Sequence, residues 1–135
     1  MKKEKVVIDG ANALYLQAPR ERRPNIKNIF AIAQAVERSG GDPVIIVDPS
    51  IRSLIGDVNE FEKLLSDRRV MTVQPGEDLS RVVLETANNL NAVIVSNNTY
   101  IDYYEDFPWI EERRISMVIV NGAALLLDPK MRRAS

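Results

Sequence analysis

Carboxylate and amide side chains stand at the ends of two apolar runs in this sequence. Asp9 closes the first run, and Ser96-Asn97-Asn98 closes a later one, with Asp102 following a few residues on. Asp78 precedes a helical pattern that leads into the later run. Oxygen atoms of these types are the ligands that Mg²⁺ and Mn²⁺ prefer, and a cation held by them can activate water and stabilise charge on a phosphoryl group. Metal-assisted chemistry on a phosphate ester is therefore one hypothesis for these residues.

Each of these residues also has a simpler structural interpretation. Asp9 precedes a glycine and could be a turn residue. Asp78 could be a helix cap, Ser96-Asn97-Asn98 a polar turn, and Asp102 the cap of the helical turn that follows. Asp48 also ends an apolar run, but Asp-Pro-Ser is typical of the start of a helix, so we interpret it as a cap.

The composition excludes several classes of site. The chain of 135 residues contains no cysteine and no histidine. This rules out disulfides, thiolate metal sites, a Ser-His-Asp triad and nuclease mechanisms that use imidazole. The net charge of −1 does not indicate a strongly basic nucleic-acid-binding domain. Any catalysis must depend on carboxylates, hydroxyls, amides, lysine, arginine or a metal held by oxygen.

The periodicity of apolar residues predicts strands that alternate with helices. We expect strands at residues 5–8, 43–48, 69–73, 91–96 and 116–121, and helices at 26–38, 57–65, 79–90 and 105–113, with an edge strand or covering segment at 124–128. This alternation predicts an α/β domain with a doubly wound, mostly parallel sheet of about five strands flanked by helices.

The candidate residues fall on one edge of that sheet. Ligands of doubly wound sheets bind outside the carboxyl ends of the strands. Asp9 follows the first strand, Asn98 and Asp102 follow the fourth, and Asp78 begins a helix at the same edge. If the first and fourth strands are neighbours, three carboxylates and an amide meet in one crevice. Because like charges repel unless a cation is present, we expect Mg²⁺ or Mn²⁺ there.

The chain is expected to form a single domain over residues 1–135, with a frayed tail at 129–135. No apolar run reaches the roughly 18 residues of a membrane span. The apolar stretch near the start is too short for a signal peptide. We therefore expect a cytoplasmic protein that does not contact membranes.

Three stretches resemble one known family. They are VVIDGANAL at 6–14, VIVSNNTYIDYYEDFPWIEERR at 93–114 and VIVNGAALLLDP at 118–129. In the same order along nearly the whole chain, they are similar to the NYN-type, PIN-like ribonuclease domain of the Regnase-like RNA-decay endonucleases. The resemblance implies a PIN-like α/β fold and Mg²⁺-dependent endonucleolytic cleavage of single-stranded RNA.

The resemblance also implies roles for individual residues. Asp9 matches the first metal-binding aspartate of the family, Asn12 the asparagine beside it, and Asp102 the last aspartate of the second block. Tyr100 and Trp109 match aromatic positions, which we interpret as packing residues.

The chain departs from the family pattern in two places that matter. The aspartate of the family's Ser-Asn-Asp block is Asn98 here, which brings no negative charge and should lower the affinity for a cation. The paired aspartates at the start of the central helix correspond to Leu79 and Ser80. We assume that Asp78 takes their role, with Glu77 as a partner.

The expected reaction is in-line attack on an RNA phosphodiester by water that the metal activates. Asp9, Asp78 and Asp102 would hold the metal, and Asn98 would join them as a catalytic residue. Binding of RNA is predicted to involve a larger set of polar and basic residues, namely Asn12, Ser96, Asn97, Arg20, Arg22 and Arg23. The arginines would contact phosphates, although a solvated loop is an equal alternative for them.

Two other interpretations stay open. A PIN-like domain weakened or inactivated by Asn98 could bind RNA or a protein partner without cutting. A phosphatase or a receiver domain also carries an aspartate after its first strand, but the residues after Asp9 and after the last strand fit both poorly. A homodimer is plausible.

Overall fold

The computed structural model describes residues 3–16 and 24–127 of the chain. A six-stranded sheet with the order β3-β2-β1-β4-β5-β6 forms its centre. The strands are β1 (Lys5–Asp9), β2 (Asp42–Val47), β3 (Val70–Thr72), β4 (Val93–Val95), β5 (Arg114–Val120) and β6 (Ala123–Leu127). All neighbouring strands are parallel except β5 and β6, which are antiparallel. The order reverses at β1, which lies between β2 and β4.

Helices connect the strands and cover both faces of the sheet. They are α1 (Gly10–Leu14), α2 (Ile26–Arg38), α3 (Val58–Ser66), α4 (Leu79–Leu90) and α5 (Ile110–Arg113), with 3₁₀ helices at Pro49–Leu54 and Ile101–Tyr103. An aspartate or asparagine side chain caps α1, α2, α3 and α4 by accepting a hydrogen bond from a backbone N–H of the first turn. None of the helices in the described ranges combines the length and apolar character needed to cross a bilayer.

Successive side chains of β1 point to opposite faces of the sheet, and each face has its own part of the hydrophobic core. Val6 and Ile8 pack on one face with apolar residues of α2, whereas Val7 packs on the other with residues of α4. Both faces of β1 are therefore buried, as expected for the central strand of a doubly wound sheet. Such a strand holds the residue at its carboxyl end rigidly.

The predicted fold class is confirmed, with corrections to particular elements. The sheet has six strands rather than about five, because 123–127 pairs with β5 as an antiparallel edge strand, one of the two alternatives expected for 124–128. The helix expected over 105–113 is limited to Ile110–Arg113, after a turn that contains Pro108. The short helix α1 was not predicted. Asp48 caps the 3₁₀ helix at Pro49–Leu54, as expected from its sequence context.

A partly buried ion pair connects the start of β3 to α2. Arg69 donates to both carboxylate oxygens of Asp67, at 2.9 and 2.7 Å, and to Glu37 at 2.7 Å. The hydrogen bonds that Arg69 donates to Asp67 hold the pKa of Asp67 below its usual value. Asp67 therefore stabilises the fold above its unfolded pKa of about 3.9, and this contribution is lost as the pH falls through the lower, folded pKa.

We expect Asp67→Asn to reduce the free energy of unfolding by about 1 kcal/mol at pH 7. Urea denaturation at pH 7 and at successively lower pH checks this, since the difference from wild type should shrink once Asp67 is protonated in the wild type. Glu62→Gln, an exposed change on α3, is the matched control and should be neutral. A difference that does not depend on pH would contradict the role of the Asp67 charge.

Candidate active site

Asp9 lies at the carboxyl end of β1, where the strand order reverses. Ile8 is in register with Val95 of β4, so the residues that follow them, Asp9 and Ser96, lie side by side. Both are buried, with Asp9 only 2% exposed. The first and fourth strands are neighbours, which was the condition for a shared crevice, and this creates the pair of polar residues at the edge of the sheet.

Three donors from the described part of the chain surround the Asp9 carboxylate. The backbone N–H of Asn12 donates to Oδ1 at 3.0 Å, which makes Asp9 the N-cap of α1. The hydroxyls of Ser96 and Tyr100 donate to Oδ2, at 3.3 and 2.5 Å. No lysine or arginine of the described ranges forms an ion pair with Asp9. A buried carboxylate is thus held in place by neutral donors, and no lysine or arginine in residues 3–16 and 24–127 compensates its charge by direct contact.

Tyr100 is a site residue that the sequence did not reveal. Sequence reasoning assigned it to packing, and its ring is indeed buried. Its backbone is left-handed, with φ of 55°, and this conformation accompanies the hydroxyl contact with Asp9. Burial, followed by the negative charge of Asp9, raises the pKa of the Tyr100 hydroxyl far above its ordinary value. The hydroxyl therefore stays protonated and acts as a donor.

The side-chain amides of Asn97 and Asn98 stabilise the loop that follows β4. The Asn97 side chain donates to the carbonyl of Met117 at 2.9 Å and accepts from its N–H at 2.8 Å. Asn98 accepts from the N–H of Tyr100 at 3.0 Å, and its own N–H donates to the Ser96 hydroxyl. Ser96, Asn97 and Asn98 thus hold the loop in the shape that brings Tyr100 to Asp9. Their roles toward substrate stay predictions.

Asn12 connects the first motif to this loop. Its Oδ1 accepts the backbone N–H of Asn97 at 2.8 Å. Its Nδ2 has no hydrogen-bond partner in the described part of the chain, and the residue is half-buried. One end of the Asn12 amide is therefore structural, while the other end can still donate to a ligand.

Asp78 and Asp102 both lie close to Tyr103. Asp78 is exposed and caps α4 by accepting from the N–H of Ser80 at 3.1 Å, so its interpretation as a cap is confirmed. Its other oxygen accepts from the Tyr103 hydroxyl. This hydrogen bond is the main cause of a raised Tyr103 pKa, to which the charges of Asp78 and Asp102 also contribute. Asp102 itself is exposed in the 3₁₀ helix at Ile101–Tyr103 and does not cap it.

The three predicted carboxylates do not form one compact group. Within residues 3–16 and 24–127, no set of three or more acidic side chains is close enough to hold a metal ion by itself. Asp9 is held by Ser96 and Tyr100, whereas Asp78 is held by its capping bond and by Tyr103. Their function as metal ligands stays a prediction. Arg20, Arg22 and Arg23 lie outside the described residues.

The comparisons with known proteins agree with this architecture. Residues 2–135 match the family model of the Zc3h12a-like Ribonuclease NYN domain. Two structures of nuclear protein-only RNase P 2 from Arabidopsis thaliana superimpose with a TM-score of 0.75, at 19% and 20% identity, over 96% and 94% of this chain. The chain spans 30% of the length of these structures, and at this identity the similarity shows the fold alone. A search of curated proteins gave no match.

The family model covers almost the whole chain. The RNase P structures share the α/β architecture with its mostly parallel sheet. The chain belongs to the family of Zc3h12a-like ribonuclease NYN domains.

Proposed function

We propose that this domain is an endoribonuclease that cleaves single-stranded RNA with the help of Mg²⁺ or Mn²⁺. The observation that carries the proposal is the buried Asp9 carboxylate at the reversal point of the sheet, oriented by three donors and without an ion-pair partner in the described ranges. A buried carboxylate is unfavourable unless a positive charge or hydrogen bonds compensate it. A cation beside Asp9 would complete that compensation.

The candidate residues carry the type of ligand atom that a hard divalent cation prefers. Every candidate ligand is an oxygen atom, and the chain contains neither histidine nor cysteine to favour a softer metal. Three carboxylates are not required for Mg²⁺, which commonly binds to one or two carboxylates together with water and substrate phosphates. We propose that Asp9 holds the ion, and that Asp78 and Asp102 contribute negative charge around it.

The side chains of this domain would share the work of cleavage. A bound divalent cation would lower the pKa of the attacking water and offset the negative charge that develops on the phosphate. Ser96 and Tyr100 fix the Asp9 carboxylate through their hydroxyls. The Nδ2 of Asn12, which no described residue accepts from, would donate to water or a phosphate oxygen, and Asn98 keeps the loop at the edge of the sheet. Arg20, Arg22 and Arg23 would contact phosphates further along the RNA.

Purified domain incubated with labelled single-stranded RNA tests the proposal. Cleavage should require Mg²⁺ or Mn²⁺, stop in chelator, and leave 5′-phosphate ends. A hairpin RNA of the same length provides the comparison for strand preference. RNA that stays intact at high protein concentration with either cation would contradict the proposed activity. Sedimentation in the same buffer tests the predicted homodimer.

A second candidate function is binding of RNA without cleavage. The observation that favours it is the small number of charges at the site, since Asn98 is neutral and no three acidic residues of the described ranges form a metal-binding group. This function predicts that intact RNA is retained by the domain in the presence of Mg²⁺.

We expect Asn98→Asp to increase cleavage. An aspartate can accept the Tyr100 N–H as Asn98 does, at the 3.0 Å that the loop already provides. Its second oxygen adds a negative charge at the site, so the Mg²⁺ concentration for half-maximal cleavage should fall about tenfold. A titration of cleavage rate against Mg²⁺ measures this.

Asn59→Asp is the matched control for that change. It alters the net charge equally, but on the exposed first turn of α3. Cleavage by this variant should equal that of wild type. If Asn98→Asp and Asn59→Asp behave alike, Asn98 does not limit cation binding.

A further inference from the structure

Two adjacent arginines at the junction of α5 and β5 have different surroundings. The guanidinium of Arg113 lies over the ring of Trp109, 4.3 Å from its centroid. Arg114 turns toward the loop after β4, where its Nη1 donates to the carbonyl of Ser96 at 3.0 Å and to the hydroxyl of Ser116 at 3.2 Å. The chain thus directs one positive charge to a packed aromatic ring and the next to the site.

Arg114 is connected to Asp9 through a single residue. Ser96, whose carbonyl accepts from Arg114, donates its hydroxyl to the Asp9 carboxylate. The positive charge of Arg114 also opposes the rise in the pKa of Tyr100 that burial and Asp9 produce. Both relations indicate that the guanidinium lies close to the buried carboxylate without touching it.

The guanidinium of Arg114 keeps donors that no described residue of the protein uses. Its described hydrogen bonds all involve Nη1, and the side chain is half-buried rather than enclosed. No acidic side chain in the described ranges forms an ion pair with it, in contrast to Arg69, which pairs with Asp67, and Arg81, which pairs with Asp106. Arg114 is therefore an anchored cation whose Nε and Nη2 edge has no protein partner within those ranges.

We propose that Arg114 binds a backbone phosphate of the RNA beside Asp9, an inference that rests on the proposed function. Arginine presents donors in a planar fork that matches the oxygens of a phosphate. The bonds from Nη1 fix the orientation of this fork before RNA arrives. A phosphate held here would lie next to the Asp9 carboxylate, so Arg114 would position the RNA strand for cleavage.

Binding of single-stranded RNA, followed by fluorescence anisotropy in chelator so that no cleavage occurs, tests this contact. We expect Arg114→Gln to weaken binding and to reduce the slope of log affinity against log salt by about 0.7, the value for one lost phosphate contact on a single strand. Arg114→Lys retains the charge and should retain the slope. Arg113→Gln is the matched control, which should lower thermal stability through Trp109 and leave the slope unchanged.

The NMR signal of the Arg114 Nε–H group in the wild-type protein provides a second measurement. Assigned by its disappearance in Arg114→Lys, this signal should shift when RNA is added. A folded Arg114→Gln variant with the wild-type slope, or an unshifted Nε–H signal in the RNA complex, would overturn the role of Arg114 while leaving the proposed function intact. Wild-type protein that does not bind RNA at all would instead contradict the proposed function.

Discussion

Replacement of Asp9 by asparagine is expected to reduce RNA cleavage at least about 100-fold, since even residues that only support a metal ligand typically contribute 10- to 100-fold. Among the described residues, Asp9 is the one carboxylate that is buried, and asparagine removes its charge. It keeps Oδ1, which can still accept the Asn12 N–H. The fold should therefore survive, with a change in the free energy of unfolding of about 1 kcal/mol from the altered bonds to Ser96 and Tyr100.

Asp48→Asn is the matched control, because it makes the same chemical change as Asp9→Asn at the end of another strand. Asp48 follows β2, the neighbour of β1, and accepts the N–H of Ser50 at 2.9 Å. Asparagine is an equally good helix cap, so this variant should fold and cleave like wild type. Single-turnover rates of both variants, measured beside their circular dichroism, distinguish loss of chemistry from loss of structure. Cleavage by Asp9→Asn at the wild-type rate would indicate a contaminating nuclease or an active site elsewhere.

The position of Asp9 could be predicted from the sequence because it depends on strands. Short β-branched runs determine which segments become β1 and β4, and the residues that follow neighbouring parallel strands must meet at one edge. The capping role of Asp78 could be anticipated in the same way, because the preference of aspartate for an N-cap is a local property.

The contacts made by loops could not be predicted in this way. The hydrogen bond between Tyr100 and Asp9 depends on a left-handed backbone at Tyr100, and residues other than glycine rarely adopt that conformation. The anchoring of Arg114 requires β5 to begin at that residue, two positions earlier than the apolar pattern indicates. Both features arise from tertiary contacts, which a local pattern does not contain.

Gly10→Ala is expected to lower the free energy of unfolding by about 3 kcal/mol, the upper range for an overpacked core. A Cβ at this position would lie 2.3 Å from the backbone carbonyl oxygen of Ile46 and 3.1 Å from a methyl group of Val47. A backbone atom of a central strand cannot move aside as a flexible side chain can. The start of α1 must shift instead, and a loss of about 3 kcal/mol corresponds to a decrease in Tm of roughly 10 °C.

Gly56→Ala separates this steric effect from the general effect of removing a glycine. A Cβ at Gly56 meets no atom within 4 Å, so the change should be neutral or slightly stabilising. Thermal unfolding of the two variants compares them directly. Equal Tm values would show that the backbone of β2 can move to accommodate the added Cβ. Because Gly10 follows Asp9 directly, a shift of α1 also displaces the N–H of Asn12 from the carboxylate. Gly10→Ala should therefore lose cleavage at temperatures where it is still folded, which links the close approach of α1 to β2 with the chemistry at the end of β1.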